Sequence, residues 1–260
     1  MARQIRDSEM VVQGLATPLV AAAYLLARAT HAPNLYFASA IGQGVCREPA
    51  PLGLTRVESL WLDRALKNVG FVRVAADLLP RLKPKEFFRP AQVDAHGNFN
   101  NLAFGEDFNK PRMRLPGSGG IPDVTVVGEE VFLYVPRHSR ITFVEKLDFC
   151  SGLGHSPQRT HGHGPRYLIS DLGQFDFADG TLRLTSLHPG VTLARVQAKT
   201  GFTLQVAENL QETPPPSAEE LRLLRHELDP LGIRRLELLS GSARRDLLAE
   251  IIARETAAMV

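Results

Sequence analysis

The chain has 260 residues, 44% of them hydrophobic, and sets 30 Lys and Arg against 28 Asp and Glu for a net charge of +2. That length and apolar content supply a sizeable core, and α/β folds of this size are commonly single units, so residues 1–260 are expected to form one domain. The near-neutral balance excludes a purely electrostatic nucleic-acid binder.

Two cysteines, Cys46 and Cys150, make neither a disulfide framework nor a zinc pattern, and suit a reducing compartment. No run approaches the roughly 18 apolar residues needed to span a bilayer. The best candidate, residues 18–31, is shorter and contains Arg28. The opening "MARQIRDSEM" meets acids before any apolar run, unlike a secretory signal. These features predict a cytoplasmic protein that binds neither membrane nor nucleic acid.

In chain order, "EMVVQGL" (9–15) reads as a short strand, and "TPLVAAAYLLARAT" (17–30) as a helix with Thr17 as N-cap and Pro18 at the first helical position. "NLYFASAI" returns as a strand and completes a βαβ-like unit, while the Pro- and Gly-containing stretch 46–60 looks like a surface excursion. A helix is expected over 70–82, with Pro80 forcing its end. "KEFFRPAQVD" (85–94) is the next strand candidate, interrupted by Pro90.

Residues 129–136 and 140–149 both carry strong strand signals. Residues 165–190 hold two or three short strands, with Asp179-Gly180 as a hairpin turn. Helical patterns follow at 192–201, 217–230 and 242–260, and Pro214–Pro216 reads as a stiff connector within a domain. Strands alternating with helices give an α/β fold with an open, mostly parallel sheet flanked by helices.

Four segments could carry chemistry. "LPGSGGIPDV" (115–124) leaves backbone N–H groups of Gly117, Ser118, Gly119 and Gly120 able to approach a ligand, as in an oxyanion or phosphate site, or is a plain surface turn. "QVDAHGNFNN" (92–101) reads as a strand end and a tight Asx turn, with Asp94, Asn98 or Asn100 facing a substrate as the functional alternative. "GHSPQRTHGHGPR" (154–166) holds His155, His161 and His163 without metal-ligand spacing or an acidic partner, which favours a mobile, solvated loop and no metal. Ser118, His188 and Asp171 could be imagined as a triad, but no G-x-S-x-G elbow holds the serine.

Taken together and in order, "GLATPLVAAAYLLARATHAPNL", "QVDAHGNFNN", "KPRMRLPGSGGIPDV", "YLISDLGQFDF", "LHPGVTLARVQAKTGF" and "ELRLLRHELDP" resemble the β subunit of family I CoA-transferases of the glutaconate type. The resemblance implies a CoA-transferase fold and an α-subunit partner, as a heterodimer or an α2β2 heterotetramer. It implies an acyl-CoA substrate, coenzyme A entering as part of that substrate, and no permanently bound cofactor. In such transferases a β-subunit glutamate attacks the thioester, and a mixed anhydride and then a glutamyl-CoA thioester follow. Gly119 and Gly120 match the oxyanion donors, and Ser39, Asn98, Asn100 and Ser118 are weaker candidates for lining the site.

The resemblance places Ala38 of "HAPNLYFASAIG" where that glutamate belongs. An alanine forms no anhydride, so classical transfer is in question. Glu48 and Glu58 match no motif position, and Cys46 is off register. Relatives lacking this glutamate include ring-opening hydrolases and decarboxylases of CoA esters, so those reactions, or a non-catalytic subunit completing its partner's site, stand as alternatives to transfer. Any general base would then come from the α subunit or from water.

Overall fold

The computed structural model describes residues 1–14, 17–39, 43–55 and 59–258. Its chain forms two compact units, Met1–Lys85 with Pro216–Val260, and Glu86–Pro215. One boundary falls inside the proline run Pro214–Pro216. Three successive prolines donate no hydrogen bond and favour an extended backbone, which suits a crossing between units.

In the first unit, β1 (Met10–Val12) pairs in parallel with β2 (Tyr36–Ser39), bringing Val12 opposite Ala38. Strand β2 pairs antiparallel with β3 (Gly44–Cys46), and β3 with β4 (Ala65–Asn68). Helix Pro18–Thr30 forms the crossover and buries Val20, Ala21, Tyr24 and Leu25, while the Tyr24 hydroxyl donates to Val12 O at 2.9 Å. Thr17 occupies the N-cap position, but its hydroxyl makes no capping bond. The Leu19 N–H instead donates to Glu237 Oε1 at 2.8 Å, so a carboxylate from the far end of the chain caps the helix.

Residues 71–82 are helical as expected, yet Pro80 does not end the run: Phe71–Arg73 passes through a π-helical stretch, Val74–Leu78, into Leu79–Leu82. The wider turn accommodates a residue that cannot donate its N–H. The last helix, Gly241–Ala257, anchors its end through Glu255, whose carboxylate accepts from Leu54 N at 2.7 Å and Thr55 N at 2.8 Å.

Strand β5 (Lys85–Phe88) starts on the last residue of the first unit's leading segment and continues in the second, where Pro90 separates it from β6 (Gln92–Val93). Strand β6 pairs with β7 (Phe99–Asn100), and β8 (Ala103–Phe104) with β9 (Met113–Arg114). Strand β10 (Glu130–Val135) runs parallel to β11 (Tyr167–Ser170), which continues antiparallel into β12 (Gly173–Ala178) and β13 (Thr181–Leu187). Asp179 and Gly180 have φ of 51° and 72°, the positive pair a tight I′ hairpin turn demands.

Strand β14 (Gln205–Glu212) pairs in parallel with β13; its polar sequence hides it, because only Ala207 of the strand is buried. Val131, Leu133 and Val135 put one face of β10 into the core with Phe88, Phe99, Phe143 and Phe175. The architecture is therefore α/β with an open, mixed sheet and flanking helices.

Residues 140–149 are not a strand. Thr142 and Phe143 fold back to donate to Ser139 O, and only Phe143 bridges to the sheet, at Val93. Asp148 turns inward to accept from Gln92 Nε2 at 3.1 Å and Gly105 N at 2.7 Å. The apolar spacing records burial of Phe143, not a ladder. No helix among the described residues is long and apolar enough to cross a membrane.

Candidate functional site

The glycine-rich loop leads into the short helix Ile121–Val127, with Gly120 as its N-cap. Gly117 and Gly119 take φ of 114° and 53°, backbone that only glycine adopts readily. The turn closes through Ile121 N donating to Ser118 O at 3.0 Å and Val124 N to Gly120 O at 2.9 Å. Gly119 and Gly120 are exposed, and a Cβ at Gly119 would meet nothing. Among the described residues neither Gly119 N–H nor Gly120 N–H finds an acceptor within the chain. The helix is held from below, where Ile121 and Val124 pack on the core of the second unit. Ser118 is half-buried beside these donors.

Asp94 organises the neighbouring motif as an Asx turn. Its Oδ1 accepts from His96 N at 2.9 Å and Asn98 N at 3.0 Å, and its Oδ2 accepts from Asn98 Nδ2 at 2.9 Å. Asn98 Oδ1 accepts from Gly154 N at 2.8 Å. Asn100 is fully buried; its amide donates to Gln92 Oε1 and Ala103 O and its Oδ1 accepts from Leu102 N. Both side chains make these bonds within the protein, Asn100 from full burial and Asn98 from a half-buried position.

In the histidine loop His161 and His163 are exposed, as expected of a solvated loop, whereas His155 is not. His155 is half-buried, bonds Pro165 O through Nε2 at 2.7 Å, and packs on Phe177 with ring centroids 4.9 Å apart. No group of residues that could hold a metal occurs among the described residues. His188 bonds Ser170 O and Thr213 Oγ1, so it forms no relay with Ser118 and Asp171.

Ala38 and Ser39 belong to the first unit and end strand β2. Ala38 is 1% exposed, paired with Val12 on one side and Val45 on the other, and joins an apolar cluster with Val12, Val69 and Val74. Ser39 is buried opposite Gly44. Residues 40–42 and Glu58 lie outside the described residues, and Glu48 is exposed. Cys46 is buried, which pushes its thiol up to about 11 and keeps it protonated at neutral pH.

Two buried ionisable groups had no place in the sequence reading. His138 stacks on Phe143 at 3.6 Å and bonds Ser170 Oγ and Thr200 Oγ1 through its two ring nitrogens; burial lowers it to about 3. Glu86 is buried in β5 with no hydrogen-bond or ion-pair partner among the described residues, and burial raises it to about 8. A lone acid among the apolar residues of "KEFF" was the available signal for it.

No family model matches the chain. It is 34% identical over 251 residues to the β-type subunit of the 3-oxoadipate CoA-transferase from Pseudomonas knackmussii, covering 86% of this chain and 88% of that protein. It is 30% identical over 250 residues to the cholesterol ring-cleaving hydrolase IpdB subunit of Mycobacterium tuberculosis, covering 92% of this chain and 95% of that protein. Among solved structures, a chain of the decarboxylase AibA/AibB superposes with a TM-score of 0.76 at 32% identity, covering 90% of this chain and 92% of its own.

Proposed function

The chain belongs to the CoA-transferase β-subunit family, and from that premise we propose that it cleaves a carbon–carbon bond of an acyl-CoA thioester, together with an α subunit, instead of transferring CoA. Coenzyme A enters as part of the substrate, and no resident cofactor is required. Both compact units form one functional β subunit, working in the cytoplasm, where its two free cysteines remain reduced.

The observation that carries this reading is Ala38. At the position the resemblance assigns to the nucleophile there is a buried methyl group among valines, and a methyl group attacks no carbonyl. Cys46, protonated and buried, is no substitute. What remains is non-covalent chemistry, in which the N–H groups of Gly119 and Gly120 hold the thioester oxygen as negative charge develops on it. When a carbon–carbon bond alpha to that carbonyl breaks, by water attack on a neighbouring ketone or by loss of carbon dioxide, the electron pair delocalises onto the held oxygen as an enolate. Proton return to carbon then restores the thioester. Ser118 borders these donors, Ser39 ends the strand that carries Ala38, and Asn98 and Asn100 keep the adjoining turn in shape. The relatives include a hydrolase and a decarboxylase beside a CoA-transferase, so both kinds of reaction occur on this fold, and it is Ala38 that favours cleavage over transfer.

The test is to purify the complex formed with this chain and its α subunit and supply a panel of cyclic-diketone and dicarboxylyl-CoA esters with acetate. Ring-opened or decarboxylated CoA products without acetyl-CoA are expected by mass spectrometry. Acetyl-CoA formation would overturn the reading.

A further inference from the structure

Arg159 is half-buried, and its guanidinium faces backbone alone. Nε donates to Gly154 O at 3.0 Å, Nη1 to Val126 O at 3.3 Å and His161 O at 2.8 Å, and Nη2 to Thr125 O at 2.9 Å and to Leu153 O. A guanidinium has five N–H donors, and here each meets its own carbonyl oxygen. No carboxylate among the described residues pairs with it. Burial without an anion is costly for a surface decoration, and burial here holds the group below its usual range.

Thr125 and Val126 lie in the last turn of helix Ile121–Val127, where carbonyls lack helical partners and a cation is favoured. Two further contacts tie the same end. Leu153 N donates to Thr125 Oγ1 at 3.2 Å, and Gly162 comes so close that a Cβ there would stand 2.9 Å from both Val126 O and Gly128 O. The segment 153–162 therefore grips the base of a helix whose other end starts at Gly120. That helix has only 7 residues and packs through Ile121 and Val124, so its tilt is set at its two ends.

We propose that Arg159 is a positioning residue: it fixes this helix, and through it the direction of the Gly119 and Gly120 N–H groups. The inference rests on the oxyanion reading above. Preorganised donors lose their effect when displaced by a fraction of their bond length. Lysine keeps the charge but offers a single point with three donors in place of a fork.

The experiment uses the complex with its α subunit, carrying Arg159→Ala, Arg159→Lys or Gly119→Val. Two quantities are read: amide hydrogen exchange over residues 121–128, where the Ile121, Val124 and Gly128 N–H groups are hydrogen-bonded, and kcat and KM on the CoA ester that wild type turns over. In Arg159→Ala the exchange accelerates roughly tenfold, and kcat falls roughly 10- to 100-fold with KM nearly unchanged. Millimolar guanidinium restores part of both, and Arg159→Lys falls between; it serves as the test variant if the alanine protein does not fold. Exchange at wild-type rate in a folded variant would overturn the clamp and leave the oxyanion reading standing. Accelerated exchange with an unimpaired Gly119→Val would overturn the oxyanion reading, and the catalytic role of Arg159 with it.

Discussion

The side-chain oxygen of Asn98 accepts the Gly154 N–H at 2.8 Å, joining the Asx turn after β6 to the start of the histidine loop. The approach is so close that a Cβ on Gly154 would stand 2.2 Å from Asn98 N. Asn98→Ala strands the Gly154 donor and removes the bond to Asp94, which should cost ~2 kcal/mol. Asn98→Asp should cost more, because a second carboxylate would face Asp94 Oδ2 where an amide now donates at 2.9 Å. Denaturant midpoints of the two variants rank them. A kcat loss in Asn98→Ala far exceeding the stability loss would mean that the side chain also touches substrate.

Glu86 makes the fold pH-sensitive in the opposite sense to most acids. Its folded value is raised from 4.5 to about 8 by burial, so between those limits the folded state keeps a proton that the unfolded chain releases. Stability therefore falls as pH rises through that window and levels off above about 8. Glu86→Gln retains shape and polarity without the ionisation. It should raise Tm by several degrees at pH 9 and by little at pH 5. Equal shifts at both pH values would show that the carboxyl is not protonated in the folded protein.

Much of this was legible beforehand, and the misses have physical causes. Strands Tyr36–Ser39 and Glu130–Val135 are dense in aromatic and branched residues, and Asp179-Gly180 supplies a turn that few other pairs can make. The segment 140–149 also carries apolar residues, among them Ile141, Phe143 and Val144, but of these three buries Phe143 alone, while β14 is an authentic strand whose polar side chains face outward. At the candidate site the glycines announced a loop through composition alone. Arg159 did not, because backbone carbonyls carry no sequence signature. The capping of helix Pro18–Thr30 by Glu237 was equally unreadable, since its partners are 218 residues apart.

His138 is expected to govern acid sensitivity. Burial lowers it from 6.5 to about 3, and each ring nitrogen is engaged by a hydroxyl, with Ser170 and Thr200 about equally near at 3.0 and 3.1 Å. The unfolded chain takes up a proton as pH drops through 6.5, whereas the folded chain does not until about 3. Its contribution is thus present above 6.5 and lost progressively as pH falls toward 3. His138→Gln should be destabilised at pH 7.5, through lost stacking on Phe143, yet show a shallower decline between pH 6.5 and 4.5. Parallel curves for the two proteins would remove His138 as the cause.

Ala38→Glu puts a carboxyl group where the resemblance places the nucleophile and asks whether it can act there. In an active transferase the carboxylate must be ionised and must reach a thioester. Here residue 38 is 1% exposed and packs with Val12, Val69 and Val74. The new carboxyl would be desolvated and held neutral, a poor nucleophile, and the longer chain would overpack the cluster at a cost of ~1–3 kcal/mol. The expected result is a lower Tm, no acetyl-CoA from an acyl-CoA and acetate, and no hydroxylamine-trappable thioester at residue 38. A trapped hydroxamate at that position would show that the strand end opens far enough for covalent chemistry. The replacement of glutamate by alanine would then be a reversible loss of one group, and the surroundings of Ala38 would still be those of a transferase.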